Sequence, residues 1–363
     1  MSVKPALRLE KRLETSKPAA FLVPIVSVLL ALFTGALFFW VSGKDPAVVY
    51  SSMFYGAFGS AYGLSETVVK AIPLSLCGLG IALAFRMQLW NIGGEGQFYM
   101  GAMAAAWVAL FHPQLPGWIM LPAMFLAGFI AGGLWGLLPA VPRAYQGVNE
   151  TITTLMLNYI AIFWVDYLVH GPWRDPAGFN FPLTAQFVPS AILPAFGTTR
   201  IHAGLIFTIA AALVMYLVMR NTRTGFEIKV IGESQSAARY AGISLEKNIL
   251  LVMLFSGGLC GLAGMAEVSG IAGRLQEGLS PGYGYTAIIV AWLSRLNPLA
   301  LPVVAFMFGG LQVGGYSVQT SGVPATTVSM LQGLLLFFVL GGELFYRYRL
   351  SWRNKSIKEG ANS

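Results

Sequence analysis

The residue types best suited to binding a polar solute lie together in a glycine-rich segment, residues 90–98, with the order Trp-Asn-Ile-Gly-Gly-Glu-Gly-Gln-Phe. Irregular, glycine-rich backbone at membrane depth is tolerated only inside protein or beside a watery cavity, and broken helices of this kind form binding sites in transporters. We predict that Asn91, Glu95 and Gln97 contact a polar solute and that Phe98 stacks on a flat ring. The alternative is an interfacial loop in which Glu95 stabilises the N-terminus of the next helix.

A second polar cluster, residues 147–159, places amide and hydroxyl groups on one side of a helix. Thr151, Thr154 and Asn158 are three and four residues apart, a spacing that puts them on a common face directed toward other helices. With Asn149 and Glu150 at the start of the segment, this cluster is a second candidate solute contact. Hydrogen bonding between helices uses the same residue types and explains the face equally well.

Three further acids and one tyrosine complete the set of candidate residues. Glu267 follows an apolar segment among small residues, so we expect it to be either an inward polar group or an acid at the outer interface. Asp166 and Glu343 lie near the ends of their segments and are assigned to the interfaces. Tyr285 follows the glycine-containing break at 282–284 and is the tyrosine favoured for stacking on a ring.

Long apolar segments carry these residues. Of the 363 residues, 56% are hydrophobic and 10% are charged, against roughly 25% charged residues in soluble domains. Because a span needs about 20 apolar residues, the sequence predicts an all-α polytopic membrane protein with about ten transmembrane helices, some of them short or broken. The candidate spans are 21–41, 66–85, 95–111, 118–138, 151–169, 203–219, 249–269, 284–295, 299–318 and 327–345. The eighth is too short to cross unless it belongs to a broken element.

The distribution of basic residues predicts how these spans are oriented. With the N-terminus in the cytoplasm, most of the 23 Lys and Arg residues fall on the cytoplasmic side, as the positive-inside rule requires. The outer side receives Lys44, Lys70, Arg174, Arg200 and Arg274. Both termini are therefore expected in the cytoplasm. Because the net charge of +8 is spread over several loops instead of one face, the sequence does not predict nucleic-acid binding.

The chain is divided accordingly into a basic cytoplasmic N-terminal tail, residues 1–20, a transmembrane domain, 21–346, and a basic cytoplasmic C-terminal tail, 347–363. Two connections inside the transmembrane domain are long enough to be more than turns. The outer loop, 170–202, is rich in proline and aromatic residues and is predicted to form a packed cap or a docking surface. The cytoplasmic loop, 220–248, contains a short helix former at 235–241, bounded by Gly232 and Gly242, and is predicted to contact a partner.

Motifs for cofactors and metals are not recognisable in the sequence. There is no G-x-x-x-x-G-K-[ST] phosphate loop, since the Gly-Lys pair at 43–44 is followed by Asp45. The three histidines, His112, His170 and His202, all fall on the outer side, and the two cysteines lie in apolar segments. We therefore expect no cofactor on this chain and no catalytic site.

Four segments carry a resemblance to a known family. They are 91–97 (Asn-Ile-Gly-Gly-Glu-Gly-Gln), 149–159 (Asn-Glu-Thr-Ile-Thr-Thr-Leu-Met-Leu-Asn-Tyr), 282–291 (Gly-Tyr-Gly-Tyr-Thr-Ala-Ile-Ile-Val-Ala) and the loop 224–243. Over about Leu64 to Glu343 the chain resembles the inner-membrane permeases of binding-protein-dependent ABC importers, in the branch of the ribose-type and branched-chain amino-acid permeases. Its closest likeness is to nucleoside permeases. The resemblance implies that one group of residues couples the spans to an ATPase: Gly232, Ala237, Ala238, Arg239 and Gly242.

The resemblance also implies partners and a location. A permease of this kind would lie in the inner or plasma membrane of a bacterium, surrounded by lipid. It would pair with a second, commonly homologous permease on two cytoplasmic ABC ATPases, which bind ATP and Mg, and would receive a nucleoside-like solute from an extracellular substrate-binding lipoprotein. The family further implies related chain halves, for which Gly94-x-Gly96 and Gly282-x-Gly284 give a weak signal.

Other functions stay open from the sequence alone. The solute could be a simple sugar such as ribose or a branched-chain amino acid. The chain could instead be a secondary transporter driven by an ion gradient, with Glu95 or Glu267 carrying a proton, or an intramembrane scaffold or enzyme subunit. Trp292 stands where the family leads us to expect a smaller residue, so a pathway lined by Trp292 would suit a different solute.

Overall fold

A computed structural model describes residues 6–11, 17–319 and 322–353. Helices account for most of these residues, with one short strand near each end of the chain. In chain order the elements are β1 (Ala6–Lys11), α1 (Lys17–Val41), α2 (Pro46–Phe58), α3 (Ala61–Arg86), α4 (Gly94–Phe111), α5 (Gly117–Gln146), α6 (Glu150–His170), α7 (Gly204–Asn221), α8 (Arg223–Glu233), α9 (Gln235–Tyr240), α10 (Leu245–Glu267), α11 (Tyr283–Leu293), α12 (Leu301–Gln319), α13 (Thr326–Arg347) and β2 (Tyr348–Arg353). A 3-10 turn covers Pro189–Ala191, and a π-helical turn, Val268–Ala272, continues α10.

Each of the ten predicted spans coincides with a helix. Six of the helices in the described ranges are long and apolar enough to cross a membrane: Ala61–Arg86, Gly117–Gln146, Glu150–His170, Gly204–Asn221, Leu245–Ala272 and Leu301–Gln319. The chain is therefore a multi-pass helical membrane protein, whereas the number of crossings and the cytoplasmic position of both termini stay predictions. The short eighth span is α11, whose 11 residues extend about 16 Å. The sequence did not predict α2, because its 13 residues are too few for a span.

The structure divides into two compact units, residues 1–48 with 326–363 and residues 49–325. In the first unit α1 packs against α13, and β1 pairs with β2 in an antiparallel sheet that places Lys11 opposite Tyr348. Apart from this short sheet the described elements are helical, in agreement with the predicted all-α polytopic fold. Apolar and polar residues alternate along β2, with the order Tyr-Arg-Leu-Ser-Trp-Arg, and over residues 7–10 of β1, which is the period of a β-strand. The predicted tails, 1–20 and 347–363, lie partly outside the described residues.

In the second unit, α3 and α10 form the centre. Helix α10 packs against α4 and α5 through small residues, as Gly101 and Gly261 show: a Cβ added to Gly101 would lie 2.2 Å from the Cα of Gly261. Small residues let helix backbones touch in this way inside membranes, where no hydrophobic force drives helices together. This tight centre supports the N-terminus of α4, where the predicted solute-binding segment begins.

The outer loop, 170–202, packs against the segment that leads from the π-helical turn to α11. The backbone N–H of Thr184 donates to the carbonyl of Leu275 at 2.9 Å, and that of Phe187 donates to Gly273 at 2.8 Å. These contacts confirm that the loop is packed; its position as a cap on the outer side stays a prediction. Its use as a docking surface stays a prediction.

The cytoplasmic loop, 220–248, forms two short helices, each begun by a hydroxyl side chain. Thr222 accepts from the N–H of Gly225 at 3.1 Å, and Ser234 accepts from the N–H of Ala237 at 3.2 Å, as capping residues do. Helix α9 ends before Gly242, whose φ of 73° is left-handed. The short helix predicted at 235–241 is thus confirmed.

Candidate functional site

The segment between α3 and α4 is irregular, as predicted, and its fold is fixed by buried amide side chains. Asn91 and Gln97 exchange two hydrogen bonds, each amide donating to the other over 3.1 Å. Asn91 also donates to the hydroxyl of Ser256 on α10 at 2.9 Å and accepts from the N–H of Gly93 at 3.0 Å. Both amides are fully buried, so their hydrogen-bonding capacity is used within the protein in this structure.

Helix α6 holds the same segment from the opposite side. Asn158 accepts from the N–H of Gly96 at 2.8 Å and donates to the carbonyl of Ile92 at 2.9 Å. One turn earlier, Thr154 accepts from the N–H of Ile92 at 3.3 Å. The polar face predicted on this helix therefore does point into the protein, where it serves the backbone of residues 92–96.

Glu150, not Thr151, is the first member of that face. It accepts from the N–H of Trp90 at 3.2 Å and lies 3.1 Å from the guanidinium of Arg143 at the end of α5. Thr151 is half-buried, and Asn149 is an exposed cap whose side chain accepts from the N–H of Thr151 at 2.9 Å. The face begins at Glu150 instead of Thr151 because the contacting residues are four apart: Glu150, Thr154 and Asn158 lie on successive turns of the helix.

Glu95 stabilises the N-terminus of a helix, but that helix is α11 and not its own. Its carboxylate accepts from the backbone N–H of Gly284 at 2.6 Å, whereas α4 is preceded by the capping residue Gly93, which has no side chain to accept from the helix. A Cβ on Gly284 would lie 2.2 Å from the backbone nitrogen of Glu95, so the first turns of α4 and α11 touch. A buried carboxylate at a helix N-terminus is stabilised by the unpaired N–H groups there.

The aromatic candidates differ in their exposure. Phe98 is fully buried, with its ring 5.8 Å from that of Tyr283. Tyr285 is half-buried, and its hydroxyl accepts from Asn158 at 3.3 Å. The ring centroids of Trp292 and Trp90 are 5.9 Å apart. The large side chain at position 292 therefore packs against another indole.

An ion pair inside the helix bundle was not predicted. The ammonium of Lys70 on α3 lies 3.5 Å from the carboxylate of Glu267 at the end of α10 and donates to the hydroxyl of Tyr283 at 2.9 Å. The expectation that Glu267 is an inward polar group is confirmed, since it is only 4% exposed. Lys70 was assigned to the outer side; its position ten residues into an apolar helix was the signal that could have identified it.

The predicted coupling residues lie on the surface, apart from two. Ala238 lies on the buried face of α9. Gly232 packs against the end of α3, where an added Cβ would lie 2.1 Å from the carbonyl oxygen of Arg86. Ala237, Arg239 and Gly242 are exposed. The segment is thus anchored to the spans on one side and open on the other.

Two ionisable groups outside the spans have shifted pKa values. Hydrogen bonds from Asn248, at 3.0 Å, and Arg223, at 2.8 Å, hold the pKa of the Glu227 carboxyl below its usual range. Burial, together with the charge of Arg200, lowers the pKa of His202 to about 4. His202 accepts from the N–H of Gly204 at 3.2 Å through Nδ1, while its buried Nε2 has no partner.

Within the described ranges, no group of three or more His, Cys, Asp or Glu side chains could hold a metal ion. The polar groups of the site offer hydrogen bonds and ion pairs, and its aromatic rings offer stacking. The N-termini of α4 and α11 meet at its centre, and the amide, carboxylate and hydroxyl groups of α6, α10 and α11 surround it.

Residues 63–340 match the family described as "Branched-chain amino acid transport system / permease component". The chain is 39% identical to the glucose ABC transporter permease protein TsgB13 of Haloferax volcanii, over 95% of this chain and 93% of that one. It is 35% identical to the guanosine ABC transporter permease protein NupP of Bacillus subtilis, over 94% and 98%. It is 30% identical to the nucleoside ABC transporter permease protein NupB of Lactococcus lactis, over 89% and 92%.

Among solved structures, PsaBC from Streptococcus pneumoniae in complex with Fab covers 81% of this chain and 95% of its own, at 12% identity and a TM-score of 0.44, which is too low to support a conclusion about the fold. The sequence matches extend over nearly the whole chain and include every segment that forms the polar site. The chain therefore belongs to the ABC transporter permease family of branched-chain amino-acid transport type.

Proposed function

We propose that this chain is the membrane-spanning permease subunit of an ATP-driven importer for a nucleoside-like solute in a bacterial inner or plasma membrane. The observation that supports this solute most is the 35% and 30% identity, over nearly the full chain, to permeases named for guanosine and for nucleosides. Family membership favours the ATP-driven importer over the gradient-driven transporter and the scaffold.

The polar site supplies the chemistry that such a solute needs. We propose that Asn91, Gln97, Glu150 and Asn158 hold the backbone around the junction of α4 and α11, and that the solute passes beside that junction. Tyr285 is half-buried and Asn149 exposed, so these two offer polar groups directly. Glu95 and Phe98 are buried and would act on the solute after a movement of α11.

The cytoplasmic segment supports the assignment of a separate ATPase. Arg239 and Ala237 are exposed, while Gly232 and Ala238 fix the same segment to the spans. A rigid connection of this kind can convert closure of two ATPases, which would carry ATP and Mg, into movement of the spans. A second permease subunit and an extracellular substrate-binding lipoprotein would complete the importer.

A simple sugar is the second candidate solute, because the glucose permease of Haloferax volcanii is 39% identical to this chain. A ribose ring is common to nucleosides and to ribose, so binding of a hydroxylated ring does not separate the two classes. The flat base of a nucleoside does separate them, because stacking of a base on an aromatic side chain contributes about 1–3 kcal/mol.

The test is ATP hydrolysis by the complex purified through this chain and reconstituted with its binding protein. Stimulation by guanosine and other nucleosides, and not by ribose or glucose, is the result expected. Stimulation by sugars alone would keep the permease and change the solute. Absence of any copurifying ATPase, or uptake that survives ATP depletion, would contradict the proposed function.

A matched pair of variants tests the site in the same assay. Glu95→Gln keeps an acceptor for the N–H of Gly284 but removes the charge, whereas Glu66→Gln removes a half-buried carboxylate that pairs with the exposed Arg200 at 3.2 Å. We expect the first to lower solute-stimulated hydrolysis severalfold and the second to leave it unchanged. Equal effects would remove Glu95 from the proposed pathway.

A further inference from the structure

The Lys70–Glu267 ion pair, whose side chains are 17% and 5% exposed, is not explained by stability. Moving two charges out of water is costly, and well-packed apolar residues in the same place are often as stable or more stable. The carboxylate is only partly satisfied here: Oε1 faces Lys70 and Tyr283, while Oε2 is buried without a hydrogen-bond partner among the described residues. Ionisable residues inside membrane spans are by default candidates for a role in function.

The ion pair joins three elements at one point. Lys70 belongs to α3, Glu267 ends α10, and Tyr283 is the first residue of α11. Tyr283 accepts a hydrogen bond from Lys70 at 2.9 Å and donates one to Glu267 at 3.3 Å. The hydroxyl of Tyr283 is thus held on both sides, and the N-terminus of α11 is fixed to α3 and α10.

Glu95 holds the next residue of the chain in the same way. Its carboxylate accepts from the N–H of Gly284, so consecutive residues of α11 are bound by two acids from two other helices. Ser280 adds local contacts, accepting from the N–H of Tyr283 at 2.9 Å and from that of Gly282 at 3.1 Å. Polar contacts, together with packing of the Tyr283 ring on Phe98, determine where α11 begins.

The segment that connects Glu267 to Tyr283 contains irregular backbone. Glu267 is followed directly by the π-helical turn Val268–Ala272, and π turns inside helices are frequent at functional sites. The connection to α11 contains Gly273, Gly278 and Gly282, all with left-handed φ values. An 11-residue helix at the end of such a connection can shift without unwinding a longer one.

We propose that Lys70, Glu267 and Tyr283 form a polar latch that positions the N-terminus of α11, and that its opening is required for solute passage. This inference rests on the proposed function, since it assigns a step of that transport to the junction of α4 and α11. In the closed latch Tyr283 keeps Gly284 against Glu95. In the open latch α11 moves away from Glu95 and exposes its carboxylate to the pathway.

The first test is hydrogen exchange at residues 278–286 in the purified chain in lipid nanodiscs, which needs no partner and no solute. Lys70→Met should raise exchange there about tenfold, because Tyr283 loses a donor and Glu267 its counter-ion. Lys70→Arg should restore slow exchange, and Glu66→Gln, on the same helix, should not change it. Unchanged exchange in a folded Lys70→Met protein would overturn the latch.

Global unfolding is distinguished by exchange at the glycine-packed contact between α5 and α10, residues 132–136 and 253–261, which lies away from Glu267 and should stay protected in every variant. A double variant, Lys70→Met with Glu267→Met, removes both charges and keeps comparable volume. If it folds and again shows raised exchange at 278–286, the polar contacts hold α11. If its exchange equals that of the unsubstituted chain, packing alone holds α11 and the latch is wrong.

The second test is coupling in the reconstituted complex. The ratio of ATP hydrolysis with loaded binding protein to that with empty binding protein should fall toward one in Lys70→Met and return in Lys70→Arg. A ratio that stays at the unsubstituted value in Lys70→Met would overturn the required opening. If the unsubstituted complex shows no solute response, the proposed function fails, and the exchange experiment still decides whether α11 is held by the latch.

Discussion

The polar segment at 90–98 and the cytoplasmic segment at 232–242 are both short, glycine-containing connections, but their surroundings are opposite. In the first, Asn91, Glu95 and Gln97 are buried and each bonds to protein groups. In the second, Arg239 and Tyr240 project from the surface, and Tyr240 is 97% exposed. A substitution of a buried residue in the first segment is therefore expected to act on the fold, whereas a substitution at an exposed position of the second segment, such as Arg239, is expected to leave the fold intact and to act on a partner.

The largest expected effect comes from filling the space between α4 and α11. Gly284→Val would place its Cβ 2.2 Å from the backbone nitrogen of Glu95, with no flexible side chain to give way. Overpacking of this kind costs about 1–3 kcal/mol, and more where backbone must move. We expect the monodisperse fraction in size-exclusion chromatography to disappear.

Gly333→Val is the matched control, because nothing lies within 4 Å of a Cβ at that helical position. It should purify as the unsubstituted chain does. Equal recovery of Gly284→Val and Gly333→Val would show that the two helix N-termini do not touch as described.

Acid should weaken the packing around the buried His202. The pKa of this residue is about 4 in the folded protein against about 6.5 when unfolded, so the unfolded state binds more protons between these values. The free energy of unfolding is therefore unaffected by His202 above about pH 6.5. It falls by up to about 3 kcal/mol as the pH decreases toward 4. Thermal denaturation in detergent at pH 7.5 and 4.5 measures this loss.

Comparison with His202→Gln isolates the contribution of this residue from that of other titrating groups. The variant should lose less stability than the unsubstituted chain on going from pH 7.5 to 4.5. His170→Gln, at an exposed position, should behave like the unsubstituted chain. The same acid-induced loss in His202→Gln would remove His202 as its cause.

A smaller effect should separate the hydrogen bond of Glu95 from its charge. Glu95→Leu leaves the buried N–H of Gly284 without an acceptor, which costs about 1–3 kcal/mol, while Glu95→Gln can still accept. We expect a lower denaturation temperature in Glu95→Leu than in Glu95→Gln. If both variants melt together, the contact with Gly284 does not hold α11 in place.

The same contrast explains what the sequence could predict. Long apolar segments made all ten helical spans recognisable, and the short, glycine-bounded helix at 235–241 followed from local propensity. The contact between Glu95 and Gly284 could not be predicted, because it joins residues 189 positions apart and depends on where α11 begins. Lys70 was missed for a related reason: counting charges by loop assigns a cation to a surface, whereas its partners come from α10 and α11.

The smallest effect on stability, with a large effect on coupling, is expected at the surface of α9. Arg239→Glu reverses an exposed charge in the last turn of a six-residue helix, where a substitution changes stability by about 0.5 kcal/mol or less. Its denaturation temperature should match that of the unsubstituted chain, but recovery of the ATPase by affinity purification should fall severalfold. Lys229→Glu, an equal reversal at an exposed position of α8 outside the coupling residues, is the control and should keep the ATPase bound. The buried Ala238 anchors α9 to the protein. A normal denaturation temperature together with loss of the ATPase would therefore show that the partner-binding face of α9 is separate from the fold. Normal recovery of the ATPase in Arg239→Glu would mean that the surface of α9 does not carry the coupling contact.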